Sequence, residues 1–170
     1  KDAEHPHTHY GYNYKGPKKE WESGFGKKIL GETWYTHHGH HKYQSTRGLV
    51  SKDSKSHPIL NGIKSVAIWG PTDVYGVREP ISSDAEILVR GQSIDRDTEY
   101  DENDRNYGMK ESDHTIAVNS KHRQDKPEFN PNQVMPPIVW TKSYQLENGI
   151  KGTSLTSTIG ASTDLLDEEV

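Results

Sequence analysis

The sequence predicts an α/β fold on three observations. Short apolar runs typical of strands come first, a turn dipeptide between two apolar runs follows, and the chain closes on a capped helix start. Strands that give way to a helix in this order are typical of α/β proteins. The 170 residues correspond to one domain, since domains usually contain roughly 100–200 residues.

Composition excludes several classes of function. The net charge is −4, which gives no electrostatic argument for a nucleic-acid partner, and no apolar run predicts a membrane span in this segment. Cysteine is absent, which excludes disulfides, thiolate–zinc sites and a cysteine nucleophile. Only 29% of the residues are apolar and the mean hydropathy is −1.00, so either much of the chain is loop or part of its core lies outside this sequence.

The first half of the chain predicts few regular elements. Residues 1–26 are rich in His, Tyr, Gly and Lys without periodicity, and predict a loop-rich start. Residues 28–35 have the pattern of a helix end that runs into a strand. Residues 66–69 and 85–90 are short strand candidates, the second ending at Gly91.

The second half combines a polar stretch with a hairpin. Residues 93–137 form a polar segment, which predicts a solvated insertion that does not order itself. Residues 138–144 and 153–159 flank the dipeptide Asn148-Gly149, which predicts a β-hairpin. Residues 162–170 carry helix-capping and acidic first-turn residues, but the chain stops after about one turn. We therefore expect a fragment of a longer chain; a frayed acidic tail is the alternative.

The clearest candidate chemistry is a cluster of histidines. Seven of the ten histidines fall in the first 41 residues, and four of them lie at His37, His38, His40 and His41 around Gly39. One interpretation is a divalent metal such as zinc held by His37 and His41. The others are a metal-free polar site and rings that are structural or solvent-exposed.

Two acidic segments are further candidates. Asp73 follows a Gly-Pro turn directly after a strand candidate, where α/β proteins place their sites. Its carboxylate suits a base or a ligand for sugar hydroxyls, and equally an Asx-turn or a helix cap. The acidic run at 95–101 does not fit an EF-hand calcium loop, because Tyr100 stands where glycine is needed and Asn106 where glutamate is needed.

Seven sequence blocks in order resemble ThuA-like (trehalose utilisation) domains over about residues 26–170. The blocks are LGETW at 30–34, HHGHH at 37–41, HPILNGI at 57–63, WGPTDVY at 69–75, LVRGQ at 88–92, PIVWTKSY at 137–144 and TIGASTD at 158–164.

This resemblance implies a flavodoxin-like, class I glutamine amidotransferase-like three-layer sandwich. The sandwich would be incomplete, with a C-terminal β-hairpin and a long loop insertion, and residues 1–170 would form a single partial domain. Two departures matter. Gly160-Ala161 stands where many relatives have Gly-His, and the amidotransferase cysteine is absent.

The resemblance also implies a role in carbohydrate metabolism on a small-molecule sugar or keto-sugar. The catalytic residues would be His37 and His40, as general base or ligand, with Asp73 orienting them. Substrate-binding residues would be Trp34, His38, His41 and Tyr75. Relatives are often joined to other modules in large bacterial proteins. A metal-dependent hydrolase and a non-catalytic interaction module are the alternatives, and the sequence predicts neither the reaction nor the compartment.

Overall fold

The computed structural model describes residues 14, 19, 22–31, 34–64, 68–77, 81–117 and 135–159, the side chains of 34–36 excepted. The predicted helix start at 162–170, most of the loop-rich start at 1–26 and the second part of the polar segment lie outside these residues. The eight strands within the described ranges are β1 (Trp34–His38), β2 (Gln44–Val50), β3 (Trp69–Gly70), β4 (Val74–Val77), β5 (Ala85–Asp95), β6 (Thr115–Ile116), β7 (Pro137–Gln145) and β8 (Lys151–Ser157).

The strands form two antiparallel sheets. Strands β1 and β4 make a two-stranded sheet. The larger sheet has the order β3-β2-β5-β7-β8, with β6 paired to the end of β5, and it is curled. Helical structure among the described residues is limited to short segments, which include residues 24–25, a π-helical turn at Gly26–Leu30 and 3-10 turns at Lys52–Ser54 and Pro58–Leu60. No helix in this part of the chain is both long and apolar enough to span a membrane.

The predicted α/β flavodoxin-like sandwich is wrong. The strand pairings described are antiparallel, whereas a flavodoxin-like sheet is mainly parallel. A parallel pair needs a crossover of about a dozen or more residues. Residues 146–150, which connect the paired strands β7 and β8, are too few for one. So short a connection joins antiparallel strands, and the chain builds a β-rich fold.

The predicted β-hairpin around Asn148-Gly149 is present in the structure. Strands β7 and β8 pair from Val139 with Ser157 to Gln145 with Lys151. At the turn, the Asn148 side-chain oxygen accepts a hydrogen bond from the Ile150 amide at 3.2 Å, and Gly149 adopts a φ of +84°. A positive φ suits glycine, which explains why the dipeptide Asn148-Gly149 marks the turn.

The prediction that the 85–90 strand ends at Gly91 is also wrong. Strand β5 runs through Gly91 to Asp95. A Cβ atom at this position would lie 2.6 Å from Ile138 Cγ2 and 2.9 Å from Val74 Cγ1. Gly91 therefore lets β4 and β7 pack closely against β5, and it does not mark a strand end.

The core lies between the small sheet and the large one. From β4, Val74 belongs to a buried cluster with Leu88 and Ile138, and Val77 belongs to a second cluster with Trp140. Each such buried side chain contributes about 1.5–3 kcal/mol through removal of apolar surface from water. The small sheet is thus fixed to the large one by β4, and this packing positions the residues around Asp73.

The Gly26–Leu30 turn is fixed to the hairpin by its carbonyl groups. The Trp140 indole donates to the Leu30 carbonyl at 2.5 Å, and the Ser154 hydroxyl donates to the Ile29 carbonyl at 2.6 Å. The last carbonyls of a helical segment have no partner within it, so these side chains supply the missing donors.

The first part of the polar segment is ordered, which differs from the prediction of a solvated insertion. Residues 93–95 continue β5, and residues 96–114 form a loop in which Met109 and Asp113 are buried. The order comes from carboxylates that accept backbone hydrogen bonds. Asp113 accepts from the amides of Asp97 and Lys110, at 3.2 and 2.6 Å. Composition alone did not reveal this, because the carboxylates act through local hydrogen bonds and not through buried apolar surface.

Candidate functional site

The pairing of β1 with β4 places His37 beside Tyr75. These two residues are directly opposite each other in the antiparallel register, as are His38 and Val74. Side chains alternate between the faces of a strand, so His37 and Tyr75 share one face while His38 and Val74 share the other. The His37 and Tyr75 rings meet edge to face with their centroids 4.8 Å apart.

The centre of the site is a hydrogen bond between His37 and Asp73. His37 Nδ1 lies 2.5 Å from Asp73 Oδ2. The Asp73 side chain is 1% exposed, whereas that of His37 is 46% exposed. A carboxylate shielded from water interacts strongly with a neighbouring N–H, because the local dielectric constant is low. The arrangement therefore fixes the orientation of an imidazole that solvent still reaches.

A second imidazole approaches the same carboxylate. His41 Nδ1 is 3.7 Å from Asp73 Oδ1, and the His41 side chain is half exposed. The Thr72 hydroxyl lies 3.5 Å from His41 Nδ1 and 3.4 Å from Asp73 Oδ1. The position of Thr72 is itself fixed, because its carbonyl accepts a 2.7 Å hydrogen bond from the buried hydroxyl of Thr46 in β2.

The turn between β1 and β2 holds the histidines in place through Gln44. The side-chain oxygen of Gln44 accepts a hydrogen bond from the His40 amide at 2.6 Å, and its amide nitrogen donates to Asp95 Oδ1 at 2.6 Å. Gln44 is buried, so both contacts are protected from water. They fasten the turn to the end of β5.

The remaining predicted site residues lie in different surroundings. His38 is buried, at 5% exposure. His40 is partly buried, and its ring centroid is 5.0 Å from that of Tyr43. The backbone of Trp34 pairs with Val77 in the small sheet, and the Trp34 side chain is outside the described part of the structure. The structure thus brings together His37, His41, Asp73 and Tyr75, and their roles stay predictions.

Metal binding gains no support from the described residues. Among them, no group of three or more His, Cys, Asp or Glu side chains is arranged to hold a metal ion. The part of the site that is described can act through hydrogen bonds and proton transfer by the imidazole groups.

Sequence reasoning missed two supporting residues and an aromatic stack. Two positions along the chain could have suggested the supporting residues: Thr72 directly precedes Asp73, and Gln44 follows His40 by four positions.

The aromatic stack brings Tyr43, Tyr100 and Tyr107 together across 64 positions of the chain, with centroid separations of 5.4 and 5.9 Å. Arg96 lies over the Tyr43 and Tyr100 rings, which joins the polar loop to the histidine turn. No local pattern predicts such a stack.

Comparison of the chain with protein-family models, with curated proteins and with solved structures finds no match. The resemblance to ThuA-like domains therefore stays a prediction from the sequence blocks. The α/β character that it implied is corrected by the β-rich fold.

Proposed function

We propose that the His37–Asp73 pair transfers protons to or from a sugar or keto-sugar bound beside Tyr75. The observation that carries this proposal is the 2.5 Å contact between His37 Nδ1 and a carboxylate that is 1% exposed, on an imidazole that is 46% exposed. A buried carboxylate that orients a solvent-accessible imidazole is a suitable arrangement for a general base.

The chemistry follows from the tautomer that Asp73 favours. The carboxylate accepts a hydrogen bond from Nδ1–H, so the lone pair of the neutral ring is on Nε2. Nε2 takes a proton from the substrate, either from a hydroxyl group or from the carbon beside a carbonyl. The imidazolium that forms then faces the negative charge of Asp73, which stabilises it.

The substrate class rests on the sequence resemblance, supported by the groups near the pair. The half-exposed ring of His41 offers a hydrogen-bonding partner for a ligand hydroxyl group, and the buried Thr72 hydroxyl, 3.5 Å from His41 Nδ1, helps to orient that ring. The ring of Tyr75 packs against His37 and provides an apolar surface beside it. We expect a polyhydroxylated ligand to form hydrogen bonds with His41 and to pack against the ring of Tyr75.

The test is hydrogen–deuterium exchange in keto-disaccharides, followed by proton NMR in deuterated buffer. We expect the protein to accelerate exchange at the carbon beside the carbonyl. His37→Ala and Asp73→Asn should each reduce the rate by about 100-fold or more, since a positioned general base contributes roughly 10²–10⁴-fold.

The chain offers a matched control in a second His–Asp pair. His114 Nδ1 lies 2.8 Å from Asp97 Oδ2, but the His114 side chain is 82% exposed. His114→Gln should leave the exchange rate unchanged. Equal rates for the unmodified protein, His37→Ala and Asp73→Asn would remove these residues from the proposal.

The two alternatives have no specific observation in their favour. A metal-dependent hydrolase would need further ligands beyond those that the described residues assemble. A non-catalytic interaction module stays a prediction from the sequence.

A further inference from the structure

A cleft lined by several charged side chains lies on another part of the molecule, beside the turn of the β7–β8 hairpin. Its volume is about 700 Å³, and its lining includes Lys27 and Lys28 of the Gly26–Leu30 turn, Asp84, and Lys142 of β7. Small-molecule sites usually have volumes of roughly 300–1,000 Å³. The size of the cleft therefore suits a ligand of low molecular mass.

Lys142 is an unusual residue for the wall of a cleft because its side chain is only 7% exposed. Its ammonium group donates to Asp84 Oδ2 and to the Ser143 carbonyl, each at 2.8 Å. An ammonium group has three N–H donors, and these two bonds are the ones it makes to described residues. A buried ammonium group gains from a further acceptor.

The charges that line the cleft favour an anion. Among the described residues of the lining, three ammonium groups, those of Lys27, Lys28 and Lys142, stand against the carboxylates of Asp84 and Glu147. The Lys28 ammonium group also donates to the Lys19 carbonyl at 3.2 Å. Asp84 is engaged by Lys142, and its hydrogen bond to this ammonium group lowers the pKa of the Asp84 carboxyl below its ordinary value. The Asp84 carboxylate thus stays charged near neutral pH. It lies beside the Lys142 ammonium group, where a ligand anion could also bind.

We infer that this cleft binds a small anion that carries a carboxylate or phosphate group, held between Lys142 on one side and Lys27 and Lys28 on the other. Oxyanions accept charge-assisted hydrogen bonds from ammonium groups, which are about twice as strong as neutral ones. This inference is independent of the proton-transfer site, because it depends on none of the residues around Asp73.

The experiment is a titration of the whole chain with inorganic phosphate and, separately, with acetate, in low-salt buffer at pH 7. Two-dimensional NMR follows the backbone amides of Lys28 and Tyr144, which line the cleft, and that of Ile63, which lies elsewhere. We expect saturable shifts at the first two amides only, and the probe that binds more tightly identifies the preferred oxyanion.

Substitutions then test the geometry in opposite directions. Lys27→Gln and Lys28→Gln should each weaken binding by about tenfold, through the loss of one charge-assisted interaction. Asp84→Asn should strengthen it by about tenfold, because it removes a competing negative charge and leaves Lys142 without its counter-ion. Lys64→Gln, at an exposed lysine outside the cleft, is the matched control and should have no effect.

Folding of each variant is checked by circular dichroism. Phosphate or acetate should raise the unfolding temperature of Asp84→Asn more than that of the unmodified chain, since the anion replaces the lost carboxylate. The absence of saturable shifts with both probes would overturn the inference. Binding that is unchanged in Lys27→Gln and Lys28→Gln would also overturn the inference. Lys27 is exposed and Lys28 partly exposed, so these two variants should fold and provide the test even if Asp84→Asn does not.

Discussion

At the scale of single residues, the geometry around Asp73 depends on Gly39. This residue adopts a φ of +106°, which side-chain-bearing residues rarely adopt. A Cβ atom at this position would lie 3.0 Å from Gln44 Cβ, 3.1 Å from Ser93 Oγ and 3.4 Å from Asp73 Cβ. Gly39 therefore permits both the turn and its close contact with the site.

We predict that Gly39→Ala destabilises the protein by about 3 kcal/mol, the sum of backbone strain and overpacking. The free energy of unfolding, measured by urea denaturation, tests this. Gly62→Ala is the matched control, because Gly62 also has a positive φ, of +85°, but no atom lies within 4 Å of the added Cβ. It should cost about 1 kcal/mol from strain alone. Equal losses in the two variants would show that the contacts around Gly39 contribute nothing.

The sequence identified single residues of the site but not their arrangement. His37 and His41 were candidates because histidines cluster there, and Asp73 because of its place after a Gly-Pro turn. Their spatial relation was not predictable, since 36 positions separate His37 from Asp73. It arises from the β1–β4 pairing, which depends on contacts distant along the chain.

At the scale of elements, the loop at 96–114 shows how an acidic segment orders itself. Asp97 accepts hydrogen bonds from the Thr115 hydroxyl and the His114 amide, which lower the pKa of its carboxyl. Asp104 accepts from the amides of Gly108 and Asn106, with the same effect on its pKa. The charged form of each carboxylate therefore stabilises the folded loop.

We predict that this loop loses order in acid. Because the pKa values of Asp97 and Asp104 are lowered from the ordinary 3.8, their contribution is complete above that value and is lost as the pH falls through the lowered values. Amide hydrogen exchange at Asn106, Gly108 and His114, compared at pH 6 and below pH 3.8, measures the loss.

Substitution shows whether these carboxylates are responsible. Asp104→Asn should accelerate exchange at Asn106 and Gly108 already at pH 6 and reduce its dependence on pH. Asp53→Asn, on the separate Lys52–Ser54 turn, should leave the loop unchanged. Retention of full protection in acid by the unmodified chain would contradict the prediction.

At the scale of the whole molecule, Trp140 joins three parts of the structure. Its side chain is 1% exposed, packs with Val77 of the small sheet, and donates to the Leu30 carbonyl at 2.5 Å. Loss of the ring would remove buried apolar surface and leave that carbonyl without its indole donor.

We predict that Trp140→Ala lowers the free energy of unfolding by about 3–5 kcal/mol, as expected for deletion of a large buried aromatic side chain. Denaturant unfolding followed by circular dichroism measures this. Leu155→Ala on the neighbouring strand β8 is the control, since Leu155 is 54% exposed, and it should change stability by about 0.5 kcal/mol or less. A loss as small as that of the control would show that Trp140 does not join the two sheets.

The sequence by itself determined the hairpin around Asn148-Gly149, the clustering of four histidines at 37–41 and the candidate status of Asp73, because each depends on neighbours within a few positions. Tertiary structure alone decided the antiparallel topology, the passage of β5 through Gly91 and the contact of Asp73 with two imidazoles. These features follow from which strands pair and pack. That choice is set by burial of Val74, Val77 and Trp140 between sheets, which no local pattern encodes.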